Sequence, residues 1–168
     1  GARTVNESVL QHLEDIRNSG IQFIWQTGKY YSEEIRQALE KVDQVRNLHV
    51  TDFIPDMDAA YAAADIVVSR AGASSISELC LLGKPCILVP SPNVAEDHQT
   101  KNAQALSTRN AAIFVPDGEA RNTLVGIALA TVRNDEILKS LSENVRKLAF
   151  HRSADIIAEE VYKLATGK

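Results

Sequence analysis

Short apolar runs alternate with stretches of helical spacing along almost the whole chain, and few folds accommodate that alternation. Strands are predicted over 21–26, 48–50, 65–69, 86–89 and 112–115. Helices are predicted over 5–17, 32–42, 57–63, from Gly72 onward, and over 97–107. A strand handing over to a helix, time after time, is the rhythm of βαβ units and of a parallel sheet in an α/β domain. Three further helical segments follow, over 122–132, 135–150 and 153–165, the last with Ile156, Ile157, Val161 and Leu164 as its apolar stripe. With 168 residues and 45% hydrophobic content, one domain can bury a sizeable core without disulfides.

The formal net charge of -4 carries no footprint for nucleic acid and no strong attraction to anionic lipid. No apolar run approaches the roughly 20 residues that span a bilayer, and the N-terminus lacks the apolar core of a signal peptide. Cys80 and Cys86 sit among apolar neighbours without metal-ligand spacing, and read as reduced core thiols of a cytosolic protein. No carboxylate cluster suits Mg²⁺, so neither metal nor cofactor is expected. There is no internal repeat and no low-complexity linker.

The most chemical of the strand-to-helix handovers is Ser69-Arg70-Ala71-Gly72-Ala73-Ser74-Ser75-Ile76-Ser77-Glu78-Leu79. Small residues at Ala71, Gly72 and Ala73 let a ligand approach the backbone, and the amides of Ser74 and Ser75 open the helix as unpaired donors suited to phosphate. A carboxylate at Glu78, one turn further in, would sit beside a bound diphosphate and accept from two vicinal ribose hydroxyls. The same letters spell a capping box, in which Ser75 bonds the amide of Glu78 and Glu78 reaches back. Both readings follow from the free donors at a helix start, and local sequence leaves both open.

Followed by Gly83-Lys84-Pro85-Cys86-Ile87-Leu88-Val89-Pro90, this stretch resembles the signature of the glycosyltransferase family of the bacterial peptidoglycan N-acetylglucosaminyltransferases, family 28 of the GT-B type. Three further stretches agree in order. Gly1-Ala2-Arg3-Thr4-Val5-Asn6 resembles the end of the family's glycine-rich loop; Thr51-Asp52-Phe53-Ile54-Pro55-Asp56-Met57 resembles its uracil-side loop; His98-Gln99-Thr100-Lys101-Asn102-Ala103 resembles its donor-sugar segment. The resemblance covers essentially the whole chain. It implies a Rossmann-like doubly wound parallel sheet, the C-terminal half of a GT-B glycosyltransferase, with residues 1–168 as a single domain binding UDP-N-acetylglucosamine.

The residues implied for that ligand are Ile54, Ala73, Ser74, Ser75, Ile76, Ser77, Glu78 and Gln99, with Phe53 and His98 as further candidates. Ile54 precedes Pro55, which pushes it into an extended or turn geometry at a strand end, where open α/β sheets bind ligands. The resemblance assigns its backbone to uracil and offers Phe53 as a packing surface for the base; a hydrophobic plug is the alternative. Gln99 can both donate to and accept from sugar hydroxyls. His98 stands where some relatives carry glutamine, and it also suits a helix terminus. Asp97 reads as a first-turn acid. Arg70 suits a phosphate contact or a salt bridge at the sheet edge. Lys101 and Asn102 read as packing or capping residues, and His12, His49 and His151 as surface or packing residues.

The chain opens on a loop remnant and a helix, whereas a doubly wound sheet needs a strand leading into that loop, central by fold analogy. Family members carry further glycines and a serine before the position of Gly1, so a phosphate contact implied there has no residue here. A missing central strand leaves two strands with unpaired edges, and the expectation is self-association through that gap or a leader segment beyond the sheet. The implied reaction moves N-acetylglucosamine from its UDP donor to the lipid-linked acceptor lipid I, forming lipid II, at the cytoplasmic face of the bacterial inner membrane. General base, acceptor pocket and membrane-facing patch are implied on an N-terminal domain, so this chain alone is expected to bind without catalysing. Three rivals share its features. One is the stand-alone donor-binding subunit of a two-component glycosyltransferase, another UDP-N-acetylglucosamine 2-epimerase, and a third a non-catalytic nucleotide-binding module. A nicotinamide enzyme is disfavoured, because no complete G-x-G-x-x-G follows a strand.

Overall fold

The computed structural model describes residues 2–93, 97–151 and 153–166. They form two consecutive helices, α1 (Arg3–Gln11) and α2 (Leu13–Ser19), and then alternate: β1 (Phe23–Gln26), α3 (Ser32–Leu39), β2 (Leu48–Thr51), α4 (Met57–Ala63), β3 (Val67–Ser69), α5 (Ala73–Leu82), β4 (Cys86–Leu88), α6 (His98–Ser107) and β5 (Ile113–Phe114). Three helices follow, α7 (Asp117–Val132), α8 (Asp135–Arg146) and α9 (Ser153–Thr166). Gly1, read as the tail of a glycine-rich loop, and 94–96, read as the approach to α6, lie outside the described residues.

Every strand pairing is parallel, as the alternation requires. Phe23 pairs with Leu48 through to Gln26 with Thr51, giving the sheet β1-β2; Val67 pairs with Cys86 and Ile87 with Ile113, giving β3-β4-β5. Among the described residues no strand joins the two sheets, and β1, β2, β3 and β5 each keep one unpaired edge.

Alternation along β4 builds two cores. Cys86 and Leu88 point to a cluster with Leu79 and Cys80 of α5, Ala103 and Leu106 of α6, and Val145 of α8. Ile87 and the following Val89 point the other way, to Leu124 and Ala128 of α7. This is the period of two in a sheet covered on both faces. A third cluster packs Trp25 of β1 against Val9 of α1, Leu13 and Ile16 of α2, and Ile35 of α3. Val125 of α7 belongs to that third cluster, so one helix serves both sheets. Buried Asn6 fastens α1 to β1: its Nδ2 donates to the Thr27 carbonyl and its Oδ1 accepts from Trp25 Nε1, each at 2.9 Å.

The boundaries differ from sequence expectation in instructive places. The helix expected over 5–17 starts at Arg3 and breaks at His12, which has φ -114 and ψ 28 and bonds back to the Val9 carbonyl, a tightened turn with no proline or glycine to announce it. The helix expected from 122 begins five residues earlier, at Asp117 after Pro116, where the Asp117 carboxylate is held by Arg70 and Thr4. The helix expected to reach 150 ends at Arg146. The apolar stripe of α9 enters none of the three clusters; Ile157 and Leu164 are 63% and 85% exposed. Among the described residues, no helix is long and apolar enough to cross a membrane.

Candidate functional site

At the carboxyl end of β3 the chain turns at Gly72 and enters α5. Gly72 is the N-cap, and among the described residues no side chain caps the helix. The first helical bond runs from the Ile76 N–H to the Gly72 carbonyl at 3.0 Å, so the N–H groups of Ala73, Ser74 and Ser75 lack intrahelical acceptors. Ala73 and Ser74 are exposed, and a Cβ placed on Gly72 would meet no heavy atom within 4 Å. The helix start is open to a ligand and carries the positive end of the helix dipole.

The capping box is not made. Since α5 begins at Ala73, Ser75 lies inside the first turn and cannot act as the cap. Glu78 does not reach back to the helix start; its Oε2 accepts from the Tyr61 hydroxyl at 3.0 Å. The carboxylate is thus exposed one turn from the free amides.

Four hydrogen bonds link the loops at the carboxyl ends of the strands. Gln26 Oε1, at the end of β1, accepts from the Ile54 N–H at 2.9 Å. Tyr61 on α4 holds Glu78 on α5. Asn102 Nδ2 on α6 donates to the Ala71 carbonyl at 3.1 Å. The Ser91 N–H, in the loop after β4, donates to Gln99 Oε1 at 2.9 Å. Through these links the segments carrying Ile54, Ala73 to Glu78, and Gln99 belong to one braced rim.

Two of the candidate residues already use half of their hydrogen-bonding capacity. With its N–H on Gln26, Ile54 keeps only its carbonyl for a base, unless Gln26 gives the N–H up. With Oε1 on Ser91, Gln99 offers its NH₂ as a donor. Phe53 is 57% exposed, and its carbonyl accepts from Thr51 Oγ1 at 2.8 Å, which fixes the loop beneath the ring. His98 opens α6 and is exposed. Asp97, expected in the first turn, is instead the N-cap of α6 at φ 54, a left-handed conformation that aspartate tolerates better than most residues.

Arg70 is braced and does not project as an open hand for phosphate. It pairs with Asp117 and donates to the carbonyls of Val89 and Pro90 at 3.2 and 3.1 Å, and the second Asp117 oxygen accepts from Thr4 Oγ1 at 2.9 Å. On the far face of α5 a groove of 340 Å³ runs past Ala73, Ile76, Ser77 and Cys80 toward α6. Burial raises both thiols, Cys86 to about 12, which keeps them protonated core groups. Sequence reasoning missed Gln26 and Tyr61 and gave Asn102 only a packing or capping role. The strand register could have pointed to Gln26, since it lies opposite Thr51 beside the loop of Ile54. Nothing local marks Tyr61, whose partner is 17 residues away.

Residues 1–159 match the family described as the glycosyltransferase family 28 C-terminal domain. A protein of Phocaeicola vulgatus named UDP-N-acetylglucosamine--N-acetylmuramyl-(pentapeptide) pyrophosphoryl-undecaprenol N-acetylglucosamine transferase is 60% identical over 98% of this chain and 44% of its own length. A protein of the same name from Bacteroides thetaiotaomicron is 60% identical over 98% of this chain and 45% of its own length. The chain therefore spans less than half the length of these relatives. Among solved structures, that of Acinetobacter baumannii MurG superposes with a TM-score of 0.77 at 24% identity, over 97% of this chain and 49% of that one. The glycotransferase of kitacinnamycin gives a TM-score of 0.61 at 17% identity, over 89% of this chain and 38% of that one. At these identities the superpositions establish the fold alone.

Proposed function

The chain belongs to the glycosyltransferase family 28 C-terminal domains, and from that membership we propose that it is the donor-binding domain of an enzyme that transfers N-acetylglucosamine from UDP-N-acetylglucosamine to lipid I, forming lipid II. The observation that carries the reading is the uncapped start of α5, where free N–H groups stand one turn from the braced, exposed carboxylate of Glu78. In this reading the diphosphate lies against the amides of Ala73, Ser74 and Ser75, with Ile76 and Ser77 completing the turn. Glu78 accepts from the ribose hydroxyls. Uracil lies at Ile54 with Phe53 beneath it, and Gln99 and His98 face the sugar.

The chemistry asked of this chain is electrostatic. As the acceptor hydroxyl attacks the anomeric carbon, negative charge develops on the departing diphosphate, and fixed amides at a helix start stabilise it without reorganising. The general base and acceptor pocket belong to the rest of the enzyme, so this chain alone binds donor and transfers nothing. The enzyme works as a peripheral protein on the cytoplasmic face of the inner membrane, with its membrane contact outside this chain. The free edges of β1 and β3 are where another strand, or a second copy, adds to the sheets.

Calorimetric titration of UDP, UDP-N-acetylglucosamine and ADP into the chain and into Glu78→Ala tests the reading. Uridine ligands bind in preference to ADP, and Glu78→Ala weakens them by about tenfold or more, the value of hydrogen bonds to a charged group. A folded Glu78→Ala variant that binds UDP as well as the parent overturns it.

A further inference from the structure

We propose that Tyr61 is a positioning residue for ribose recognition: by donating its hydroxyl hydrogen to one oxygen of Glu78, it holds the carboxylate so that the other oxygen meets the vicinal hydroxyls of the bound nucleotide. The inference rests on the donor-site reading above and goes beyond it by assigning a role to a residue on a different helix.

An exposed glutamate has three rotatable side-chain bonds, and ordering it costs rotamer entropy. Left alone, Glu78 would lose that freedom only when a ligand arrived, and the loss would weaken binding. Tyr61 removes the freedom beforehand. Its ring is half-buried against the cluster that holds Ala71, Leu79 and Cys80, and this packing orients the hydroxyl. Among the described residues the Tyr61 hydroxyl is the one hydrogen-bond partner of Glu78, at 3.0 Å on Oε2. Oε1 is left to accept from a ligand, since an ionised carboxylate has about four acceptor positions.

The chemistry of the pair suits a permanent brace. Burial, and then the bond to Glu78, push the Tyr61 phenol up to about 12, so it remains a donor throughout the physiological range. Because α4 follows directly on the loop of Phe53 and Ile54, the same helix that anchors Glu78 is tied to the base side of the rim.

The test compares UDP with 2′,3′-dideoxy-UDP, which lacks both ribose hydroxyls, by calorimetric titration into the parent chain, Tyr61→Phe and Glu78→Ala. The parent prefers UDP by about tenfold or more, Glu78→Ala abolishes the preference, and Tyr61→Phe narrows it about three- to tenfold while leaving the affinity for the dideoxy nucleotide unchanged. Phenylalanine keeps the ring in its apolar packing, and the readout is a ratio within each variant, so any loss of folded protein cancels. If Tyr61→Phe keeps the parent ratio while Glu78→Ala abolishes it, the positioning role is wrong and the donor site stands. A Tyr61→Phe variant that loses affinity for both nucleotides in equal proportion assigns the hydroxyl a structural role and also overturns the proposal. If the parent shows no preference, or Glu78→Ala keeps it, the donor-site reading fails and the positioning role fails with it.

Discussion

Arg70 shows how one side chain can join three elements. It leaves the end of β3, crosses to the carbonyls of Val89 and Pro90 after β4, and pairs with Asp117 at the start of α7. Both side chains are about one-fifth exposed, at 21% and 20%, so the pair is shielded from solvent without being fully desolvated. The second oxygen of Asp117, bonded to Thr4, brings α1 into the same node. Asp117→Ala therefore leaves a half-buried guanidinium without its counter-charge, and a loss of about 1–3 kcal/mol in urea-unfolding free energy is expected. Asp117→Asn, which keeps an acceptor for Thr4 or Arg70, should lose less. Equal stability of parent and Asp117→Ala would mean that the carbonyls of Val89 and Pro90 suffice for Arg70.

The helices differ sharply in what they contribute. Helix α7 packs along α1 and supplies Leu124 and Ala128 to the core beneath β4 and Val125 to the core beneath β1. Helix α9 carries an equally apolar stripe that touches none of these clusters. The same truncation should then have opposite outcomes on the two. Leu124→Ala, at a site 2% exposed, is expected to cost about 2–5 kcal/mol through lost burial and the cavity left behind. Leu164→Ala, at 85% exposure, should fall within about 0.5 kcal/mol of the parent. Chemical denaturation of both variants decides it, and a large loss at Leu164 would show that α9 is packed in solution. The site is also built at this scale: α5 supplies the free amides, α4 the brace for Glu78, and α6 the links through Gln99 and Asn102.

Two sheets that share no strand hydrogen bond among the described residues still have reason to melt together, because α1 and α7 span them. Trp25, the single tryptophan, reports on the β1-β2 side from its buried place beside Asn6, whereas far-ultraviolet circular dichroism reports on all helices. Coincident urea transitions by the two probes are expected. A fluorescence change that clearly precedes the dichroism change would mean that the β1-β2 unit opens on its own. The sequence by itself determined the α/β class, the parallel direction of the strands and the position of the Gly72 turn, because periods of 2 and 3.6 and the strand-to-helix handover are local properties. Helix α4 was legible to the residue, over 57–63. Only the tertiary structure decided the rest. The break at His12 has no local mark, the pairing of Asp117 at the start of α7 with Arg70 joins residues 47 positions apart, and the stripe of α9 finds no partner in the three clusters of the described residues. The ambiguity at Glu78 was of the same kind: a capping box and an outward-facing carboxylate are written with the same residues, and the donor that separates them, the Tyr61 hydroxyl, arrives from another helix.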